Sequence, residues 1–215
     1  MRKRFDEQLN ELNLEMQEMG RMVEDGIQKA IEALLKQDEA LAQSVMEADA
    51  LVDQKQKEIE SICFKLLMQQ QPVASDLRVI SAALKMVTDM ERIGDHAINI
   101  ATNKNSGEQT LKNGEVVVEE LATLKSLLEE SFSLLMSNEF SADKFSRVDA
   151  IEDEIDKLTT EYRANQMKRL HDGLIEPSDC VVYTTVLSDI ERVSDHVMNI
   201  GEELNRYNYY LLEAN

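Results

Sequence analysis

The sequence predicts an all-α fold in which six antiparallel helices form two tandem three-helix bundles related by internal duplication. Three observations predict it. No segment alternates apolar and polar residues with period two between turn signals, so no strand is expected. Apolar residues recur three and four apart along almost the whole chain. Two stretches, DMERIGDHAINI from Asp89 to Ile100 and DIERVSDHVMNI from Asp189 to Ile200, agree at seven of twelve positions one hundred residues apart. A long-range repeat of this kind means that one supersecondary unit is used twice.

The first helix is expected from Arg2 to about Gln37, with Phe5, Leu9, Leu12, Met16, Met19, Val23, Ile27, Ala30 and Leu34 forming a coiled-coil-like seam. Asp38 is placed to cap a second helix with the stripe Leu41, Val45, Ala48, Val52, Ile59, Ile62 and Leu66, which stops at Pro72. A third helix starts at Ser75, carries the first repeated stretch and ends near Lys104. Residues 1–105 make the first three-helix repeat, 106–114 a polar linker and 115–215 the second repeat. Its helices run from about Val116 to Asn138, from Ser141 to about Leu170, and from Glu176-Pro177-Ser178 to roughly Tyr209. Asp172-Gly173 separates the last two, and Pro177 suits a first helical turn.

Composition narrows the function classes. The chain has 215 residues, 43% of them hydrophobic, enough for one large core or two small ones. A net charge of -19 excludes nucleic acid as a partner and favours cations or basic surfaces. Cys63 and Cys180 are too few and too isolated for a disulfide framework or thiolate metal site, so a reducing cytoplasm is expected. Met1-Arg-Lys-Arg is followed by Phe5-Asp-Glu-Gln, which is not a signal peptide, and no stretch suits a bilayer span. The eleven methionines are expected to fill core.

The candidate chemistry lies in paired acids. Glu91 with Asp95 and Glu191 with Asp195 sit at i and i+4, so both carboxylates of each pair share one helix face. Glu91 also falls inside the stripe Ile80, Leu84, Val87, Gly94, Ile98 and Ala101, where a carboxylate requires a partner. Carrying the one-hundred-residue offset back without a gap pairs Asp49 with Asp149 and Asp53 with Asp153 on the middle helices. Where the middle and last helices of a half lie side by side, four carboxylates meet. Two of them at ~6 Å repel by roughly 2 to 3 kcal/mol at an effective dielectric of ~20. Oxygen-bound iron, manganese, magnesium or zinc would relieve that repulsion, and shared carboxylates can bridge several ions. The metal-ligand set is therefore Asp49, Asp53, Glu91, Asp95, Asp149, Asp153, Glu191 and Asp195.

Arg92 and Arg192 offer the competing outcome, in which salt bridges hold the acids and no metal is required. His96 and His196 lie about 100° of helical rotation from the acids, leaving second-layer, surface and ligating roles open. Asn99 and Asn199 continue the acid row and are placed to hydrogen-bond the ligands. No Glu-x-x-His pair, phosphate loop or nucleophile elbow is present, and His171 reads as a helix-terminal residue. These features favour a non-enzymatic, metal-binding adaptor. Two rivals are a metal-dependent phosphoesterase-type hydrolase and a metal-free structural coiled-coil protein.

Taken together, the four acid pairs and the context Arg-x-x-Asp-His-x-x-Asn at Arg92–Asn99 and Arg192–Asn199 resemble the PhoU family of phosphate-transport regulators. The resemblance covers nearly the whole chain. It implies multinuclear metal clusters, iron foremost, held by the acids, and a cytoplasmic homodimer that represses phosphate uptake. It also implies two partners, the ATPase of the phosphate ABC transporter and a phosphate sensor histidine kinase, with membrane association through partners only. Gly94 becomes Ser194 in the second copy, so the two sites are expected to differ.

Overall fold

The computed structural model describes residues 2–69, 73–103, 114–137 and 139–213. Six α-helices account for nearly all of them: α1 (Arg2–Lys36), α2 (Glu39–Gln69), α3 (Ala74–Thr102), α4 (Gly114–Leu135), α5 (Ala142–His171) and α6 (Pro177–Glu213). The expected stops at Pro72, Lys104 and Asn138, and all of the linker except Gly114, lie outside the described residues.

Local chemistry sets the observed boundaries. Asp38 Oδ1 accepts from the Leu41 amide at 3.0 Å and caps α2, while Gln37 takes φ 55° to make the tight α1–α2 turn. α3 begins one residue before Ser75, and the Asp76 carboxylate reaches back to the Val73 amide at 3.1 Å. α5 ends in a Schellman turn. Gly173 has φ 69°, its amide bonds Leu170 O, and the Leu174 amide bonds Arg169 O.

The two halves are not independent bundles. α1 and α2 pack on α3, α4 and α5 pack on α6, and α3 lies against α6. Lys85 with Glu203, Asp89 with His196 and His96 with Asp189 are all partnered across that seam, so α3 and α6 run antiparallel. One continuous core results, drawing buried residues from all six helices and including Ile80, Ile93 and Ile100 of α3 and Ile190, Val193 and Val197 of α6. Each such side chain contributes about 2 kcal/mol through burial.

The expected stripes line this core, with Met16, Met19, Leu121, Leu124 and Leu128 among its buried members. The methionines correct the expectation in part. Met46, Met68 and Met167 are exposed, so not every Met fills core. Cys63 and Cys180 are buried, free thiols.

Candidate metal centre

α2 and α3 bring the first four acids together. Asp49 carries the imprint of that crowding: burial, then the charges of Asp53, Asp95 and Glu91, push its carboxyl up to about 6. Glu91 is also raised, first by burial and next by Asp95, with Arg92 opposing. Arg92 does not neutralise the group. Its nitrogens stay 3.7 Å from Glu91 and 3.9 Å from Asp95, and the side chain is exposed.

Gly94 sets how closely the helices meet here. A Cβ at this position would stand 2.9 Å from Asp49 Oδ1, so the missing side chain lets the α2 carboxylate sit over the α3 backbone.

In the second half the structure groups different middle-helix acids from those predicted. Carboxylate oxygens of Glu152, Asp156 and Asp195 lie within 4.8 Å of one another, the one such trio among the described residues. Glu191 joins them closely enough to raise Asp156, whose carboxyl is lifted first by burial. Burial followed by Asp156 and Asp195 likewise raises Glu152. Asp149 and Asp153 are exposed and stand outside the trio.

The reason is a difference in the spacing of the middle and last helices. Buried Val45, Val52 and Cys63 of α2 match buried Val148, Ile155 and Gln166 of α5 at an offset of 103, whereas α3 and α6 match at 100. The stretch from the matched α5 positions to those of α6 is thus three residues shorter than the stretch from α2 to α3. An offset carried across it slips by nearly one helical turn. The sequence held the signal, since Asp49-x-x-Val52-Asp53 and Glu152-x-x-Ile155-Asp156 share an acid-x-x-apolar-Asp register.

The second site also contains its own cation. Arg163 of α5 bonds Glu191 and, at 3.2 Å, Ser188 Oγ. This basic partner comes from the helix facing the signature, in place of the expected Arg192. Asp156 Oδ1 is nevertheless buried without a hydrogen-bond partner. An orphaned carboxylate oxygen beside two further carboxylates fits an oxygen-seeking cation. The first site fits as well, with four crowded acids whose near counter-charge, Arg92, is exposed and leaves Glu91 raised. Asp49, Asp53, Glu91 and Asp95 would hold metal there, and Glu152, Asp156, Glu191 and Asp195 in the second half.

The remaining repeated residues have a different task. His96 Nδ1 lies 2.9 Å from Asp189 Oδ1 and His196 Nδ1 lies 2.8 Å from Asp89 Oδ1, each carboxylate accepting from the opposite helix. The Asn99 amide donates to Asp189 at 3.4 Å and the Asn199 amide to Asp89 at 3.1 Å. The two imidazoles stack with centroids 5.8 Å apart. Asn99 and Asn199 therefore hold the opposite copy's leading Asp rather than the acid ligands of their own helix. Asp, His and Asn form a reciprocal clasp across α3 and α6.

A model of the PhoU domain matches residues 16–103 and again residues 117–204. The chain belongs to the PhoU domain family. A phosphate-specific transport system accessory protein PhoU homolog of Clostridium acetobutylicum is 34% identical over 207 residues, covering 94% of this chain and 92% of its own. The first such homolog of Thermotoga maritima is 29% identical over 93% of this chain and 87% of its own. Among solved structures, PhoU from Pseudomonas aeruginosa superposes with a TM-score of 0.81 at 26% identity, covering 98% of this chain and all of that one. The repeat boundaries of the family enclose both acid groups and both halves of the clasp.

Proposed function

We propose that this protein is a non-enzymatic, metal-binding regulator of phosphate uptake. Its relatives are named as accessory proteins of the phosphate-specific transport system, and they match almost end to end. The observation that carries the metal assignment is the recurrence of a crowded, partly buried carboxylate group on the middle and last helices of both halves. Iron is the first candidate, with manganese, zinc and magnesium as alternatives for an all-oxygen donor set. On this reading the protein works in the cytoplasm as a homodimer and represses the transporter and its two-component system through the transporter's ATPase and the sensor kinase. No helix among the described residues is long and apolar enough to cross a membrane, which leaves contact with those partners to the surface of the bundle.

The bound cation would discharge the carboxylates and fix α2 on α3 and α5 on α6. The acids contribute position and charge, and the clasp keeps the two sites at a set separation. Titration calorimetry with each metal on the wild type and on Glu91→Gln combined with Asp95→Asn tests the site. Loss of uptake is expected; unchanged uptake removes the metal assignment. Reporter expression from a phosphate-starvation promoter at high phosphate tests the regulatory role. Derepression on deletion, restored by the wild type, is expected.

A further inference from the structure

We propose that the α2–α3 end of the molecule is a direct docking surface for an anionic lipid bilayer. Phe64, Leu67 and Met68 close α2, Val73 and Leu77 open α3, and all five are exposed, Phe64 by 53% and Met68 by 84%. Large apolar side chains clustered at the tip of a helical hairpin are out of place on a monomeric soluble surface.

The charge around them is the second observation. Asp76 is the lone acid between Ser61 and Ser81, a stretch that would hold about four at the chain's average composition. Lys57 and Lys65 share the outward stripe of α2 with Glu60, Phe64 and Met68, so the two lysines outnumber the acid there. Arg78, Lys85 and Arg206 line the adjoining α3–α6 surface around Glu203, which accepts from Lys85 and Arg206 at 2.8 Å each.

Basic residues beside an apolar tip match the composition of interfacial anchors.

A bilayer suits these observations through charge. A chain of net charge -19 is repelled by an anionic leaflet over most of its surface. It can approach the leaflet only through its acid-poor end, which fixes its orientation. The opposite hairpin tip provides a contrast. Met167, Leu174 and Val181 are exposed there too, but the exposed acids Asp172 and Glu176 accompany them.

The test is flotation of the full chain with vesicles of phosphatidylglycerol and phosphatidylethanolamine, or of phosphatidylcholine alone. These vesicles contain no protein, so the result is independent of the metal and transporter assignments. Wild type is expected to float with the anionic vesicles and to be released by salt at about 0.5 M. Phe64→Ser with Met68→Ser, and separately Lys65→Glu, should each lower binding, the first by roughly tenfold or more. Leu174→Ser with Val181→Ser should leave binding unchanged. These exposed positions do not threaten the fold, which circular dichroism checks. Absence of binding to anionic vesicles, equal loss in the Leu174/Val181 variant, or a tip variant that alters only self-association in sedimentation would each overturn the proposal.

Discussion

The two halves share a plan and solve one problem differently. On the α5–α6 side, Glu120 is buried between Arg169, which bonds it at 2.7 and 3.2 Å, and Tyr183, whose hydroxyl donates at 2.5 Å. Arg169 also reaches Gln166 at 2.9 Å, and burial drives the Tyr183 phenol well above its ordinary range. The corresponding positions of the first half are Met19, Cys63, Leu66 and Ala83, all buried and apolar. The seam that joins the halves has not diverged in this way, because each clasp residue faces a copy of its partner across the pseudo-twofold. A change on one side breaks contacts on both helices. Interior positions within a half face no such constraint and can exchange an ion-pair network for apolar packing.

The comparison can be broken most forcefully at that network. Glu120→Met should lower unfolding free energy by about 2 to 4 kcal/mol, because the Arg169 guanidinium and Tyr183 hydroxyl lose their acceptor. Adding Arg169→Leu, which copies the first half's Leu66, should recover part of the loss. Urea denaturation of the single and double variants measures both effects. If the double variant is no better than the single, the apolar solution does not transfer.

The clasp should respond less strongly and symmetrically. Asp89→Ala and Asp189→Ala each remove the acceptor of one His and one Asn, at about 1 to 3 kcal/mol apiece. Thermal melts of the two variants should shift alike. A marked inequality would show that the seam is less symmetric than its hydrogen bonds.

Asp49 gives a smaller effect whose sign depends on pH. Its folded-state pKa is raised from 3.8 to about 6, so ionised Asp49 destabilises the metal-free fold above about pH 6. That destabilisation is relieved as pH falls through the window from about 6 to 3.8 and is absent below it. Asp49→Asn should therefore stabilise metal-free protein at neutral pH, by about 1 kcal/mol once solvent screening is allowed for, and not below pH 3.8. With metal present it should weaken binding. Chelator-treated and metal-loaded melts across pH separate the two effects.

The finest distinction between the acid groups lies in Gly94 and Arg163. Gly94→Ala should change stability by less than about 1 kcal/mol, because the gain in helix propensity offsets the displacement of the Asp49 side chain. Its expected effect is weaker metal uptake at the first site alone. Arg163→Gln should do the reverse at the second site, removing the built-in counter-charge of Glu191 and raising metal affinity there. Site-resolved calorimetry on single-site variants distinguishes these outcomes.

Helix number, helix order and the duplication were legible in the sequence, because amphipathic spacing and a repeated twelve-residue stretch are local properties of the chain. The acids of α3 and α6, and Asp49 and Asp53 of α2, were legible for the same reason, as i, i+4 pairs beside apolar seams. Glu152 and Asp156 were within reach through their register with Ile155 but were hidden by a three-residue difference in the spacing of the middle and last helices, to which a gapless comparison is blind. Tertiary structure alone decided that His96 and Asn99 serve Asp189, that Arg163 rather than Arg192 meets Glu191, and that Glu120, Arg169 and Tyr183 share a buried site. Those pairings join residues 28 to 93 positions apart. Periodicity assigns each residue to a face of its own helix, but only the packing of one helix on another determines what that face meets.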